Sequence, residues 1–151
     1  MKKLLYSLIV VLMVSCSNNM LYDESAVIPD ASWDNEYVPF FNVNVDDTLT
    51  TYAFALNIRH MDDYDYSNLY VFMHVEYPND STQTYIINCP LAHPDGQWMG
   101  KGGGTMVSAK ISLNKNWRFP LKGEYHFEIE QAMREKVLDG IVDVGISFEK
   151  Q

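Results

Sequence analysis

Short segments that alternate large apolar and polar side chains constrain the fold of this chain more than any other feature. In the segment 51–59, Tyr52, Phe54, Leu56 and Ile58 fall on one face of an extended strand. Similar segments are separated by Pro, Gly, Asn and Asp, a pattern typical of all-β sandwiches and barrels. It predicts an all-β fold, an antiparallel β-sandwich of jelly-roll or immunoglobulin-like type, in one domain. Strands are predicted over residues 37–45, 51–59, 69–77, 82–91, 105–113, 123–132 and 141–149. No sustained helical period appears, and Gly140 and the flanking strands limit the segment 130–138 to a helical turn or two at most.

The N-terminus carries a second informative pattern. Lys2 and Lys3 precede an apolar run, 4–14, that is broken only by one serine. The run is too short to span a bilayer, which needs roughly 20 apolar residues, but it fits the apolar region of a secretory signal peptide, about 7–15 residues long. A serine then stands directly before Cys16, as in a bacterial lipobox. We predict that residues 1–15 are a signal peptide and that Cys16 becomes the acylated N-terminus; the alternative is a secreted protein cut at another small residue.

The segment that follows Cys16 is predicted to be a tether. Residues 16–32 are polar and show no strong periodicity, so we expect the folded domain to occupy residues 33–151, beginning near Trp33. A tether of about 17 residues could reach roughly 56–61 Å if fully extended. A domain held in this way would not need to lie against the bilayer.

The charge of the mature chain excludes several classes of partner. Residues 1–15 contain two of the 11 basic residues and none of the 20 acidic ones, so their removal leaves a formal charge of −11. Nucleic acids need Lys and Arg to replace counterions, so we expect no nucleic-acid binding. The same charge argues against docking on anionic lipid by electrostatics, which leaves the acyl chains on Cys16 as the membrane attachment.

The other cysteine, Cys89, has no predicted disulfide partner once Cys16 carries lipid. It lies in an alternating apolar stretch, 84–89, without a basic neighbour or a helix N-terminus to lower its pKa. We predict a small buried hydrophobic residue at this position rather than a nucleophile.

Several segments imitate chemical motifs without completing them. The segment 63–67 begins like a calcium-binding loop, but Asn68 stands where the sharp turn needs glycine. The glycine-rich run 100–104 lacks the spacing of a phosphate-binding loop and is interpreted as a flexible or bulged connection. No metal site, cofactor site or catalytic centre is predicted, so the protein is not expected to be an enzyme. The four histidines lie on separate segments: His60, His74, His93 and His126.

A further set of segments has specific sequences that packing alone does not require. The most specific are IEQAMRE at 129–135, LDGIVDVGI at 138–146 and LAHPDGQWMGKG at 91–102. Together with the lipobox, they resemble the gliding-motility lipoprotein GldH family, from about Tyr22 to Lys150. Shorter matching segments are NIR at 57–59, SNL at 67–69 and FPLKGEY at 119–125.

The resemblance implies a lipoprotein anchored in the outer membrane and associated with the gliding apparatus of Bacteroidota, which is linked to type IX protein secretion. It brings no catalytic residues to this chain, and it implies envelope proteins as partners. Neutral residues directly follow Cys16, whereas lipoproteins sent to the cell surface tend to carry acids there. We therefore expect the domain to face the periplasm.

The matching polar residues allow two interpretations. They can form a partner-binding face, because Trp and Arg are the usual anchors of protein interfaces, or they can serve packing, with Gln131 and Arg134 satisfying backbone groups or pairing with Asp143. The candidates are Arg59, Asn68, Trp98, Gln131 and Arg134. An alternative function, carbohydrate binding, rests on the sandwich fold and on Trp33, Trp98 and Trp117.

Overall fold

The computed structural model describes residues 19–151. The predicted signal peptide, residues 1–15, and the predicted acylation site, Cys16, lie outside the described residues. Within the described part, no helix is long and apolar enough to cross a bilayer.

The described chain is built almost entirely of strands, as the alternating pattern predicted. One short 3-10 helix, Pro29–Ala31, follows the first strand. The strands are β1 (Met20–Val27), β2 (Ser32–Asp34), β3 (Phe40–Val45), β4 (Tyr52–Met61), β5 (Asn68–Glu76), β6 (Thr82–Pro90), β7 (Lys101–Gly103), β8 (Met106–Trp117), β9 (Gly123–Gln131), β10 (Val137–Asp139) and β11 (Ile141–Lys150).

The strands form two main antiparallel sheets. The five-stranded sheet has the order β1-β11-β4-β8-β7, and the four-stranded sheet has the order β3-β9-β5-β6. A short pair, β2 with β10, lies apart from both. The two sheets pack face to face, as shown by Phe54 and Phe148 of the five-stranded sheet, whose rings lie 5.9 and 5.6 Å from that of Phe127 in the four-stranded sheet. The predicted antiparallel β-sandwich is confirmed.

The alternating side chains supply the core. The predicted inward face of β4 is fully buried, and so is the inward face of β5, which begins at Leu69. Phe119, in the connection from β8 to β9, fills the space between the sheets and contacts Tyr125 at 4.9 Å between ring centroids. The hydroxyl of Tyr125 donates to the carbonyl of Leu121, and the amide of Leu121 donates back to that hydroxyl. The connection from β8 to β9 is therefore fixed by the packing of Phe119 and by the hydrogen bonds between Leu121 and Tyr125.

The chain is ordered earlier than the sequence suggested. Residues 20–27, predicted to be part of the tether, form β1 and pair along their length with β11. The alternation in β1 is weak because a register shift occurs between Met20 and Tyr22 and because the strand buries only part of its surface. Its backbone pairing with β11, which the sequence does not display, holds it in the sheet. The prediction that the folded domain begins near Trp33 is wrong for this segment.

One further segment differs from its prediction. The glycine-rich run forms β7, which pairs with β8, instead of a flexible connection. A side chain at Gly100 would collide with the backbone of Ser108 and with Val107, so glycine allows this close approach. Residues 132–136 form a turn that leads into β10, with no helical turn. The backbone there is held by Gln131, whose bonds are described below.

Candidate partner-binding site

The five candidate residues do not share one face. Arg59 lies on β4 and points away from the core, on the outer side of the five-stranded sheet. Asn68 lies on β5 and points outward from the four-stranded sheet, where its amide donates to Asn88 Oδ1 at 2.8 Å. The two side chains therefore stand on opposite faces of the sandwich.

Arg59 lies in a polar groove on the outer side of the five-stranded sheet. Its guanidinium forms an ion pair with Asp143 on the neighbouring strand β11. The Asp143 side chain is largely buried, whereas 44% of the Arg59 side chain is exposed. Asn57, one pleat away, donates to Asp23 of β1 at 3.3 Å. The groove has a volume of about 730 Å³, and Lys101 and Lys110 add two further cations to it.

Trp98 stands beside one end of this groove. Its ring packs edge-on against His60 at 4.5 Å between centroids, and its indole N–H donates to the carbonyl of Asp62 at 3.1 Å. The next residue, Met99, lines the groove and has an exposed side chain. Because Trp98 is fixed by both contacts, it holds Met99 in place at the rim. Arg59 and Trp98 are thus the two candidates that the structure brings near one another.

His60, which supports Trp98, is fully buried. Its Nδ1 lies 2.7 Å from the carbonyl of Met61, which can only accept, so this nitrogen carries the proton. Its Nε2 has no hydrogen-bond partner in the described structure. Burial lowers the pKa of His60 below its ordinary value of 6.5, because the imidazolium would lose its hydration. The neutral ring therefore serves as packing surface for the tryptophan.

Gln131 is buried and holds the turn that follows β9. Its amide N–H donates to the carbonyl of Glu135 at 2.8 Å, and its amide oxygen accepts from the N–H of Met133 at 2.9 Å. The interpretation that Gln131 satisfies backbone groups is confirmed. Arg134 is exposed on the same turn, and the carboxylate of Asp143 pairs with Arg59 instead.

A second cluster, on the outer side of the four-stranded sheet, was not predicted as a unit. His74 Nε2 lies 3.0 Å from Glu130, and its Nδ1 lies 2.9 Å from the hydroxyl of Thr84. His126 lies 3.3 Å from Glu128 on the same strand. The alternation of His126, Glu128 and Glu130 along β9 could be seen in the sequence. The pairing of β9 with β5, which brings His74 to Glu130, could not. Within residues 19–151, no group of three or more His, Cys, Asp or Glu side chains could hold a metal ion.

Trp33, which was considered for carbohydrate binding, and Cys89 both lie in the core. Trp33 is fully buried and donates its indole N–H to the carbonyl of Tyr37 at 2.8 Å, so its ring offers no face to a sugar. Cys89 is buried as predicted, and burial raises the pKa of its thiol to about 12. A thiol in this state is inert at neutral pH.

Comparison with known proteins gives one consistent family. A model of the GldH lipoprotein matches residues 20–148, which begins at the first residue of β1. A gliding motility lipoprotein GldH homolog from Christiangramia forsetii is 30% identical over 148 aligned positions, which cover 93% of this chain and 90% of the relative. The gliding motility lipoprotein GldH of Flavobacterium johnsoniae is also 30% identical, with 93% of this chain and 91% of the relative covered. No solved structure matches the chain. The match over nearly the whole sandwich shows that the chain belongs to the GldH lipoprotein family.

Proposed function

We propose that this protein is a non-catalytic lipoprotein of the gliding machinery, anchored in the outer membrane through Cys16 and acting by docking on an envelope protein. Family membership supports the role in gliding, and the lipobox before Cys16 supports the anchor. The domain is proposed to face the periplasm, where components of the gliding and type IX secretion machinery would be its partners.

The groove around Arg59 is the observation that carries the docking role. A guanidinium has five N–H donors, and the ion pair with Asp143 leaves part of the Arg59 side chain open to the groove. Because Asp143 is largely buried, it fixes the position of the arginine without closing its outer side. Arg is enriched in interface hot spots, and a fixed Arg loses little conformational entropy when a partner binds.

The rim of the groove adds apolar area to this charge. Met99 is an exposed methionine beside the half-buried Trp98, and methionine and tryptophan are enriched at protein interfaces. Lys101 is exposed and takes part in none of the ion pairs found among residues 19–151. The groove thus combines a fixed cation, a free cation and an apolar rim, which suits a protein partner that presents acidic and apolar side chains.

Charge reversal at the free cation tests the docking role. Lys101→Glu combined with Met99→Ala should weaken cross-linking to envelope partners in intact cells by about tenfold or more, as expected for loss of hot-spot contacts. The matched control is Lys136→Glu, which precedes β10 and lies outside the groove. The melting temperature should stay nearly unchanged in both variants. If association persists in the groove variant, or falls equally in the control, the groove is not the docking site.

Mass spectrometry and protease access test the anchor and its orientation. The mature N-terminus should be Cys16 with acyl chains, and Cys16→Ala should yield unlipidated protein. Protease added to whole cells should leave the domain intact if it faces the periplasm. An unmodified Cys16 would refute the anchor, and digestion of the domain on intact cells would refute the periplasmic orientation.

A further inference from the structure

The two ends of the sandwich differ in charge. We define the distal end by the connections that contain residues 28–39, 62–67, 91–100 and 132–140. These segments hold nine acidic residues and two basic ones. The strand registers show that they gather at one end, because Met61 pairs with Met106 and Asn68 pairs with Pro90. Much of the negative charge of the domain is therefore concentrated there.

The opposite end, which we call the anchor end, lies where β1 begins. Met20 pairs with Glu149, and the neighbouring pairs join Lys150 to Tyr52 and Tyr52 to Trp117. The connections 46–51, 77–81 and 118–122 lie at this end of the two sheets.

The anchor end carries four exposed bases. They are Lys115, Arg118, Lys122 and Lys150, and none of them takes part in the ion pairs found among residues 19–151.

Acids also lie near these four bases, so the charge of the anchor end is close to balanced, whereas the distal end is strongly acidic. The same connections hold Asp46, Asp47 and Asp80. The carboxylate of Asp47 accepts hydrogen bonds from Thr50 and from the amide of Leu49, and these bonds, with the nearby Lys150, lower its pKa. Lys122 also has Glu76 and Glu124 in its neighbourhood.

Two leucines extend from the same end. Leu49, at the tip of the 46–51 connection, is 81% exposed, and Leu121 is exposed on the 118–122 connection. Exposed apolar side chains next to Lys and Arg are typical of surfaces that lie at the boundary between head groups and acyl chains. An anionic surface would repel the acidic distal end more strongly than the anchor end.

The short distance from Cys16 brings this end to the bilayer. Cys16 is four positions before Met20, so their Cα atoms can be at most about 13–14 Å apart. The tether of 17 residues expected from the sequence would have allowed any orientation, but β1 shortens it.

We propose that the anchor end of the sandwich is a membrane-contacting surface, an inference that rests on the lipid anchor proposed above. Its occupant is the head-group layer of the bilayer that holds the acyl chains, with Lys115, Arg118 and Lys150 on anionic phosphates and Leu49 at the boundary. The distal end and its acids then point away from that membrane.

Thiol accessibility on vesicles tests the orientation. The natural acylated protein is inserted from outside into vesicles of phosphatidylcholine with about 30% phosphatidylglycerol, which gives the surface a negative potential. Acylation consumes the thiol of Cys16, and Cys89 is buried, so an introduced cysteine is the reactive one. Labelling by a neutral, impermeant maleimide should be at least about fivefold slower at Leu49→Cys on vesicles than in the soluble Cys16→Ala form. At Asp95→Cys, on the distal end, the rate should not change.

Charge variants separate the possible outcomes. Lys115→Glu with Arg118→Glu should restore fast labelling at Leu49→Cys, whereas Arg134→Glu with Lys136→Glu, on the distal end, should leave it slow. Pure phosphatidylcholine vesicles should give a smaller slowing. Equal rates at both cysteines, on acylated protein, would overturn the orientation while the anchor stands. A mass that shows no acyl chains on Cys16 would overturn the anchor and the orientation together.

Discussion

Two edge strands of the sandwich differ in how they meet solvent. β1 closes one side of the five-stranded sheet, and β6 closes one side of the four-stranded sheet. β1 carries the adjacent acids Asp23 and Glu24. Asn57 of β4 donates to Asp23, and within the strand the hydroxyl of Tyr22 donates to Glu24. β6 has no charged residue, and Ile86 at its centre is 74% exposed.

The difference shows that a clear strand pattern in the sequence does not imply an edge that is protected against pairing with a further strand. β6 has a strong strand pattern and an edge without the charges that natural edges use to prevent further pairing. β1 has a weak strand pattern and a protected edge. Of these two strands, β6 is the one that is easily recognised from the sequence, and it is also the one whose free edge is open to another strand.

Removal of β1 should have the largest effect. A chain that starts at Ile28 would expose the edge of β11 and lose the packing of Leu21, Tyr22 and Ala26 on the core. Three partly buried side chains together are worth more than about 3 kcal/mol. Chemical unfolding of this form, beside one that starts at Asn19, measures the loss. Equal stability would show that β1 acts as a tether after all.

Substitution of Gly145 should have the next largest effect, because this glycine lets β1 approach β11. An added Cβ would collide with the carbonyl of Glu24 and the side chain of Ser25. Gly145→Ala should destabilise the fold by about 1–3 kcal/mol, the usual cost of overpacking. The control is Gly103→Ala in β7, where an added Cβ has open space. A loss of similar size in the control would mean that the contact with β1 is not the cause.

Cys89 tests the inward side of β6. Cys89→Ala should cost about 1 kcal/mol, since it removes one small buried group. Reductant should leave the melting temperature of the natural protein unchanged, because Cys89 is a free cysteine. Thermal unfolding with and without reductant checks both points. A shift on reduction would mean that Cys89 is bonded to another thiol.

His60 should add a pH dependence of smaller size. Its pKa is lowered by burial in the folded state, so below pH 6.5 the unfolded chain binds a proton that the folded chain does not. The stability from the neutral ring is fully present above pH 6.5 and decreases as the pH falls from there. Urea unfolding at pH 7.5 and pH 5.5 measures this slope. His60→Phe should reduce the slope, and an unchanged slope would assign it to other groups.

A charge on β6 should have the smallest effect on stability. Ile86→Lys should change the free energy of unfolding by less than about 0.5 kcal/mol, because the side chain is exposed. It should lower self-association at high protein concentration, measured by light scattering, because an edge lysine opposes strand addition. If scattering is the same in both proteins, the uncharged edge is not adhesive.

Much of the fold could be predicted because most strands bury one full face. β4 and β5 alternate cleanly, and their bounds differ from the prediction by only a few residues. β1 could not be found in this way, since its bulge interrupts the period and its pairing with β11 is a backbone property. The prediction that the folded domain begins near Trp33 was wrong for the same reason.

The candidate site could be predicted only in part. The sequence singled out Arg59 and Trp98, which the fold places near one groove. It could not separate them from Asn68 on the opposite face, because the face of a residue depends on which sheet its strand joins. Gln131 was singled out as a candidate, but its role is local: its amide completes the backbone hydrogen bonds of a turn.

The pairing of β1 with β11 has a consequence for the order of folding during export. Glu24 lies opposite Ile146, so roughly 120 residues must emerge before the two strands can meet. Contacts between such distant positions form slowly, because the loop between them must first be closed. A chain that leaves the translocation channel N-terminus first would carry β1 as a waiting strand until its partner arrives. During that interval Asp23 and Glu24 give the unpaired strand a charge that opposes aggregation.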